Sequence, residues 1–178
     1  NIRRKQLLNT SPNKAHFELN KLQDKYKLSI ITQNIDDLHE RSGSKSVLHL
    51  HGKLREAKSV IDSTIYPIDG AELNIGDLCV KRGQLWPNVA WFGEEVPNME
   101  IAINKVIKAD IFIIIGTSLN VYPAASLLNY TENAERIILI DPNALSYNNI
   151  EIIREKATTA VPRLVKELIW LFIIFEIC

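Results

Sequence analysis

The run Ile111-Phe112-Ile113-Ile114-Ile115 constrains this chain more than any other feature. Five consecutive apolar residues, mostly β-branched and too few for a buried helix, suit a strand covered on both faces, as in parallel sheets. The run stops at Gly116-Thr117-Ser118, and a counterpart, Ile137-Ile138-Leu139-Ile140, stops at Asp141-Pro142-Asn143. A third, shorter run, Leu28-Ser29-Ile30-Ile31-Thr32, gives way to Gln33-Asn34. Helical patterns lie around these runs. Ser11-Pro12 reads as an N-cap followed by proline at the first helical position, and with Ala15, Leu19, Leu22 and Tyr26 behind it predicts a helix over about 12–26. Pro97 opens a second helix, with Met99, Ile103, Val106 and Ile107 on one face, and Pro123 announces a third. Val161 to Leu168 reads as an amphipathic terminal helix. Strands alternating with helices at this spacing predict an α/β fold with a doubly wound, parallel, Rossmann-like sheet and right-handed crossovers. Ligands of such sheets bind beyond the carboxyl ends of the strands, where this chain carries its small and polar residues.

Residues 56–84 interrupt the pattern, hold Pro67, Gly70, Gly76 and Gly83, and read as a small irregular insertion. The expected organisation is a sheet domain made of residues 1–55 and 85–170, an insertion subdomain over 56–84, and an atypical apolar tail over 171–178. The apolar run Leu168 to Phe175 is far shorter than the ~20 residues that span a bilayer, so no membrane partner is expected. The chain starts at Asn1 and its only methionine is Met99, so it is expected to be part of something longer, with the sheet incomplete at the N-terminus. Lys plus Arg and Asp plus Glu both number 21, which leaves no global field to attract nucleic acid or an anionic surface. Cys79 and Cys178 lie far apart with no CxxC pair, which argues against a disulfide framework and against a thiolate metal site, and suits a reducing cytoplasm.

Several residues at strand ends are candidates for chemistry, and each also has a plain structural reading. Gly116-Thr117-Ser118 offers backbone N–H groups and two hydroxyls to a phosphate or ribose, or is only a turn. Gln33, Asn34 and Asp36 suit a ribose or a carboxamide, while Asn34 or Asp36 also suits a helix cap. His49 and His51 alternate with Leu48 and Leu50, so both point to one face of a strand-like segment that Gly52 ends. A histidine there could serve as a general base near neutral pH, or could be structural. Trp91-Phe92-Gly93-Glu94 suits a hydrophobic channel beside an approachable backbone, or ordinary core packing.

The combination is more specific than its parts. Thr32-Gln33-Asn34-Ile35-Asp36-Asp37-Leu38-His39, then His51-Gly52, then Pro87-Asn88-Val89-Ala90-Trp91-Phe92-Gly93-Glu94, then Gly116-Thr117-Ser118 with Val121-Tyr122-Pro123-Ala124-Ala125 resembles, in order and spacing, the motif series of the sirtuins. These are NAD-dependent enzymes that remove acyl groups from protein lysines. The resemblance runs from Asn1 to about Leu168, and Asn1-Ile2-Arg3-Arg4 is similar to the segment that supplies a Tyr-x-x-Arg pair in the class III, bacterial and mitochondrial-type branch. It implies that His51 is the general base acting on the nicotinamide-ribose hydroxyls of NAD, that the acyl oxygen attacks the ribose carbon as nicotinamide leaves, and that the acyl group ends on ADP-ribose. It further implies NAD contacts by Gln33, Asn34, Asp36, Gly116, Thr117 and Ser118, with Asp141, Asn143 and Ala157 near the adenosine half. Acyl-lysine protein or peptide substrates would meet Val89, Phe92, Gly93 and Val121, and a succinyl or malonyl carboxylate would meet Arg3.

Departures accompany the resemblance. The family's glycine-rich pyrophosphate turn and the tyrosine partner of Arg3 are not in this sequence. Of the usual four zinc cysteines only Cys79 falls in the insertion, where Ser59 and other non-ligands stand, so no metal is expected. Trp86 replaces a usual arginine, and Asp141 a usual asparagine. Two further readings stay open: an impaired form that only binds acyl-lysine peptides, and a nucleotide-binding α/β protein of another function, which would leave the motif series unexplained.

Overall fold

The computed structural model describes residues 1–91, 93–117, 119 and 122–175, and of 171–175 the backbone alone. The apolar runs are parallel strands. β6 (Ile111–Ile115), β7 (Arg136–Ile140) and β8 (Glu151–Ile153) form one parallel sheet in that order, with Ile111 opposite Arg136 and Ile138 opposite Glu151. β1 (Ile30–Thr32) and β2 (Val47–His49) form a second parallel pair, with Thr32 opposite His49.

Burial on both faces follows from the period of two. Ile138 and Ile140 join one core cluster with Ala160, Val161, Leu164, Val165 and Leu168 of α5 (Ala157–Phe175) and Ala15 of α2 (Lys14–Lys21). Phe112, Ile31 and Leu48 face the other cluster, which is built on Leu50, on Ala102 and Val106 of α4 (Met99–Val106), and on Leu127 of a 3-10 helix over Ala124–Tyr130. The parallel strands therefore lie between two helical layers, the doubly wound arrangement expected. The Tyr26 hydroxyl donates to the Leu168 carbonyl at 2.9 Å, tying the segment after α2 to α5.

Local details differ from the sequence reading in instructive ways. The helix expected from residue 12 starts at Lys14, because the Asn13 side chain accepts from the backbone of Ala15 and His16 while the His16 ring accepts from the Asn13 N–H. It ends at Lys21 and continues as a single 3-10 turn, Leu22–Asp24. Pro123 precedes a 3-10 helix and not an α-helix. A first helix, α1 (Ile2–Leu8), was not evident from periodicity.

The segment read as irregular contains an antiparallel sheet. β3 (Gly52–Ser59) lies between β4 (Ile65–Pro67) and β5 (Leu85–Val89), and so runs through the boundary expected at residue 55. A register shift between Gly52 and Ala57 explains why no clean alternation marks it. Two turns close the far end. Cys79 is buried, its sulfur 3.4 Å from the Ser59 hydroxyl and accepting from the Gly83 N–H at 3.2 Å, and Asp62 pairs with Lys81 at 2.9 Å. Among the described residues no group of histidine, cysteine or carboxylate side chains is arranged to hold a metal ion, and no helix is long and apolar enough to cross a membrane.

α1 is fastened to this sheet and to α3 (Leu38–Arg41). The buried Arg4 donates to the Ala71 carbonyl at 3.1 Å, Lys5 pairs with Glu72 at 2.7 Å, and Arg41 donates to the carbonyls of Leu7 and Thr10 at 3.3 and 2.6 Å.

Leu164 packs α5 against β7, so Leu164→Ala is expected to lower unfolding free energy by about 2–5 kcal/mol, read from the midpoint of urea denaturation.

Candidate functional site

The candidate site starts where β1 leaves its ladder. The backbone N–H of Leu50 donates to the Thr32 carbonyl at 2.9 Å, the last backbone bond between β1 and the chain following β2. The carbonyls of Gln33 and Asn34 must then find other donors. Two imidazoles supply them: His51 Nδ1 lies 3.1 Å from the Gln33 oxygen, and His49 Nδ1 lies 3.0 Å from the Asn34 oxygen. The expectation that both histidines share a face is met by this shared target. Their environments differ. His51 is half-buried, whereas His49 is 4% exposed and its Nε2 lies 2.9 Å from Glu40 Oε1.

The contact to Gln33 decides the tautomer of His51. A carbonyl oxygen only accepts, so Nδ1 carries the hydrogen, and in the neutral ring Nε2 keeps its lone pair. Nε2 has no hydrogen-bond partner among the described residues. An oriented imidazole with its outer nitrogen unprotonated is the geometry a general base requires.

Gly52 sets the direction of the chain beyond His51. Its φ of +77° is left-handed, and a Cβ there would stand 2.1 Å from the Asn88 carbonyl oxygen. Only glycine lets β3 run this close to β5, where Gly52 lies opposite Val89 and the Ala90 N–H donates to the His51 carbonyl at 3.0 Å. Val89 is thereby brought beside His51-Gly52. Gly93 follows with φ +90°, exposed and with open space at its Cβ position, and the neighbouring Trp91 ring is 66% exposed. The core-packing reading of Trp91 is thus corrected, since the ring stands in solvent. Phe92 lies outside the described residues.

On the other side of β1, Asn34 is exposed and donates its N–H to the Thr32 hydroxyl at 3.0 Å. The Asp36 carboxylate accepts from the Leu38 N–H at 3.1 Å, a local turn that leads into α3. Asp36, Arg3, Thr10 and Leu54 line an open cleft between α1 and this turn. The exposed Arg3 therefore shares a cavity with Asp36, while its neighbour Arg4 is a buried structural cross-link. Gln33 is half-buried beside His51.

The remaining candidates gather at the carboxyl ends of β6 and β7. Gly116 has φ +65° with open space at its Cβ position and donates its N–H to the Ile140 carbonyl at 2.9 Å, which draws the two strand ends together. Thr117 accepts from the Leu119 N–H, and the Asp141 carboxylate accepts from the Asn143 N–H at 2.7 Å. Asp141 donates its own N–H to Ile153, at the end of β8, after which Ala157 opens α5. Ser118 and Val121 lie outside the described residues.

Three site residues escaped the sequence reading. Glu40 receives His49 and, at 2.9 Å, the Lys53 ammonium. Burial pushes the Glu40 carboxyl up, but the Lys53 and His49 donors outweigh it and hold the group below its ordinary value. Asn98 donates to the His49 carbonyl at 2.7 Å from the start of α4. No local period or spacing marks these contacts in the sequence. His39, its ring tilted against that of His16 at 4.7 Å between ring centres, is held below the ordinary histidine value by burial and by that second ring.

Comparison with known proteins adds to this geometry. The Sir2 family's sequence profile matches residues 1–123. The chain is 46% identical over 172 residues to an NAD-dependent protein deacylase of Helicobacter pylori, covering 95% of this chain and 74% of that protein. It is 43% identical over 179 residues to one of Bacteroides thetaiotaomicron, covering 95% and 76%. Among solved structures, a mutant Sir2 homologue complexed with ADP-ribose superposes with a TM-score of 0.85 at 35% identity, covering 96% of this chain and 72% of that one. Sir2 bound to an acetylated peptide superposes with a TM-score of 0.79 at 31% identity, covering 91% and 73%.

Two outcomes are expected from this geometry. Gly52→Ala should destabilise the chain by about 2 kcal/mol or more, lowering the melting temperature by about 4 °C or more in calorimetry. Glu40→Gln should lose stability relative to wild type at neutral pH. Because the folded-state value of Glu40 is depressed, its contribution is complete above the unfolded glutamate pKa and disappears as pH falls through the folded value, so urea midpoints of the two proteins should converge in acid.

Proposed function

The chain belongs to the Sir2 family of NAD-dependent protein deacylases, and from that premise we propose that it removes acyl groups from lysines of protein or peptide substrates with His51 as the general base. The observation that carries this reading is the Nδ1 contact of His51 to the Gln33 carbonyl, which aims an unprotonated Nε2 away from the backbone that orients the ring. NAD supplies the electrophilic ribose carbon and the nicotinamide leaving group. The chain's part is to bind, orient and move one proton. His51 takes a ribose hydroxyl proton on Nε2, and the imidazolium so formed keeps its Nδ1–H on Gln33.

Gln33, Asn34 and Asp36 supply amide and carboxylate groups to the nicotinamide riboside. Gly116, Thr117 and Ser118 receive the ribose and phosphates, and the open space at the Gly116 Cβ position supports that role by leaving the backbone approachable. Asp141, Asn143 and Ala157 are assigned to the adenosine half. Val89, Phe92, Gly93 and Val121 are assigned to the acyl-lysine peptide, laid along the backbone beyond β5 as an added strand. The Trp91 ring exposed beside Gly93 supports a surface made for a partner. Arg3, exposed at the cleft that holds Asp36, is assigned to the carboxylate of an acidic acyl group such as succinyl or malonyl. Residues 56–84 act as a metal-free subdomain held by the contacts of Cys79 and Asp62. The reduced, buried Cys79 suits the cytoplasm.

The test is mass spectrometry of acetyl- and succinyl-lysine peptides incubated with the chain and NAD. Acyl loss that requires NAD and falls by about 10² or more in His51→Ala is expected. Arg3→Met should lower turnover of the succinyl peptide more than that of the acetyl peptide. Acyl loss without NAD, or unchanged in His51→Ala, refutes the assignment.

A further inference from the structure

His49 is a buried titratable group for which the proposed mechanism has no use. Its side chain is 3% exposed, and both ring nitrogens face oxygen acceptors: the Asn34 carbonyl at 3.0 Å from Nδ1 and Glu40 Oε1 at 2.9 Å from Nε2. The carbonyl has no proton to give, so Nδ1 carries one. Glu40 Oε1 also accepts from the Lys53 ammonium at 2.9 Å, a group that only donates. With the Lys53 ammonium on it and the Glu40 carboxyl held below its ordinary value, this oxygen is an ionised acceptor, so Nε2 is the donor of its contact and carries a proton as well. A ring that donates from both nitrogens is an imidazolium.

We propose that His49 is a positioning residue held as an imidazolium, cross-linking the end of β1 to α3 and thereby fixing the Gln33–Asn34 turn against which His51 is oriented. The assignment rests on the deacylase reading for its functional part. Its mechanical basis is the parallel register of β1 and β2: Thr32 is opposite His49, so His49 and His51 grip consecutive carbonyls of one turn. Movement of the Asn34 carbonyl would move that of Gln33, and with it the hydrogen bond that sets the tautomer of His51.

The charged groups around the ring are of both signs, and Lys53 is a second cation on the same Glu40 oxygen. From α3 come Glu40 and His39, and from β3 comes Lys53, whose ammonium lies 4.0 Å from Glu56, while Asp36 acts on the His39 ring. His16 of α2 packs on the His39 ring. His39, with its value lowered by burial and by His16, adds no opposing positive charge near neutral pH. Asn98 fixes the His49 backbone from α4. Paired with an ionised partner, a buried charge of this kind is retained, whereas removing one member leaves the other uncompensated.

The experiment is a long-range proton–nitrogen spectrum of the 15N-labelled chain at about pH 7, with the four histidines assigned by single His→Gln variants. His49 is expected to show two protonated nitrogens, and His51 to carry a proton on Nδ1. Glu40→Gln is expected to convert His49 to a single-proton ring, to shift the His51 nitrogens and the amides of residues 33–36, and to lower kcat/KM for NAD by up to about 10²-fold with peptide KM unchanged. A wild-type His49 with one protonated nitrogen at pH 7 overturns the assignment, and needs no variant to be seen. So does a folded Glu40→Gln chain in which His51 and the turn amides do not move. If the wild-type chain shows no NAD-dependent turnover, that failure belongs to the deacylase reading, and the nitrogen and amide shifts alone uphold or overturn the part assigned to His49.

Discussion

Two carbonyl oxygens that leave the ladder at the end of β1 govern the organisation of the site. A strand that ends among polar residues exposes acceptors that no neighbouring backbone satisfies, and here the donors are imidazoles from the next strand. That solution demands a particular register between β1 and β2. It also demands that the chain turn sharply after His51, since the next strand belongs to a different, antiparallel sheet. Gly52 makes that turn possible by passing within contact of the Asn88 carbonyl. One local requirement, satisfying two oxygens, thus couples the parallel core to the insertion sheet.

The insertion in turn bears on the site through α1. Asn1, Arg4 and Lys5 fasten that helix to residues 71–74, and Arg41 fastens its other end to α3. Arg3 is left as the cation of this helix directed to the cleft with Asp36, because its neighbour Arg4 is buried in the fastening. Two adjacent arginines with equal charge have different fates because a helix turns about 100° per residue and only one of them faces the insertion. The far turns of the insertion hold together by a thiol, a hydroxyl and an ion pair. The Ser59 hydroxyl lowers the Cys79 thiol below its ordinary value, against the effect of burial.

Much of the core was legible because it is periodic. The runs at 111–115 and 137–140 became β6 and β7, and the alternation of Ile111 and Ile113 with Phe112 divides one strand between two core clusters. β3 was not legible, because a register shift between Gly52 and Ala57 breaks its alternation, and α1 was not, because its seven residues include only Arg4 and Leu7 as buried contacts. His51 was legible as a candidate through its motif. The difference between His51 and His49 was not: both stand at alternate positions on the same face, and only their surroundings distinguish a half-buried ring with one nitrogen unpartnered among the described residues from a buried one with two acceptors.

The sequence by itself determined the succession of strands and helices, the burial of the parallel strands on both faces, and the collection of polar residues at strand ends, because these depend on periods of two and 3.6 and on turn chemistry within a few residues. The tertiary structure alone decided which nitrogen of His51 is free, which arginine faces the cleft, and that His49 meets Glu40 and Lys53. Those outcomes depend on partners 9 to 67 residues apart meeting within hydrogen-bonding distance, and no local pattern encodes that meeting.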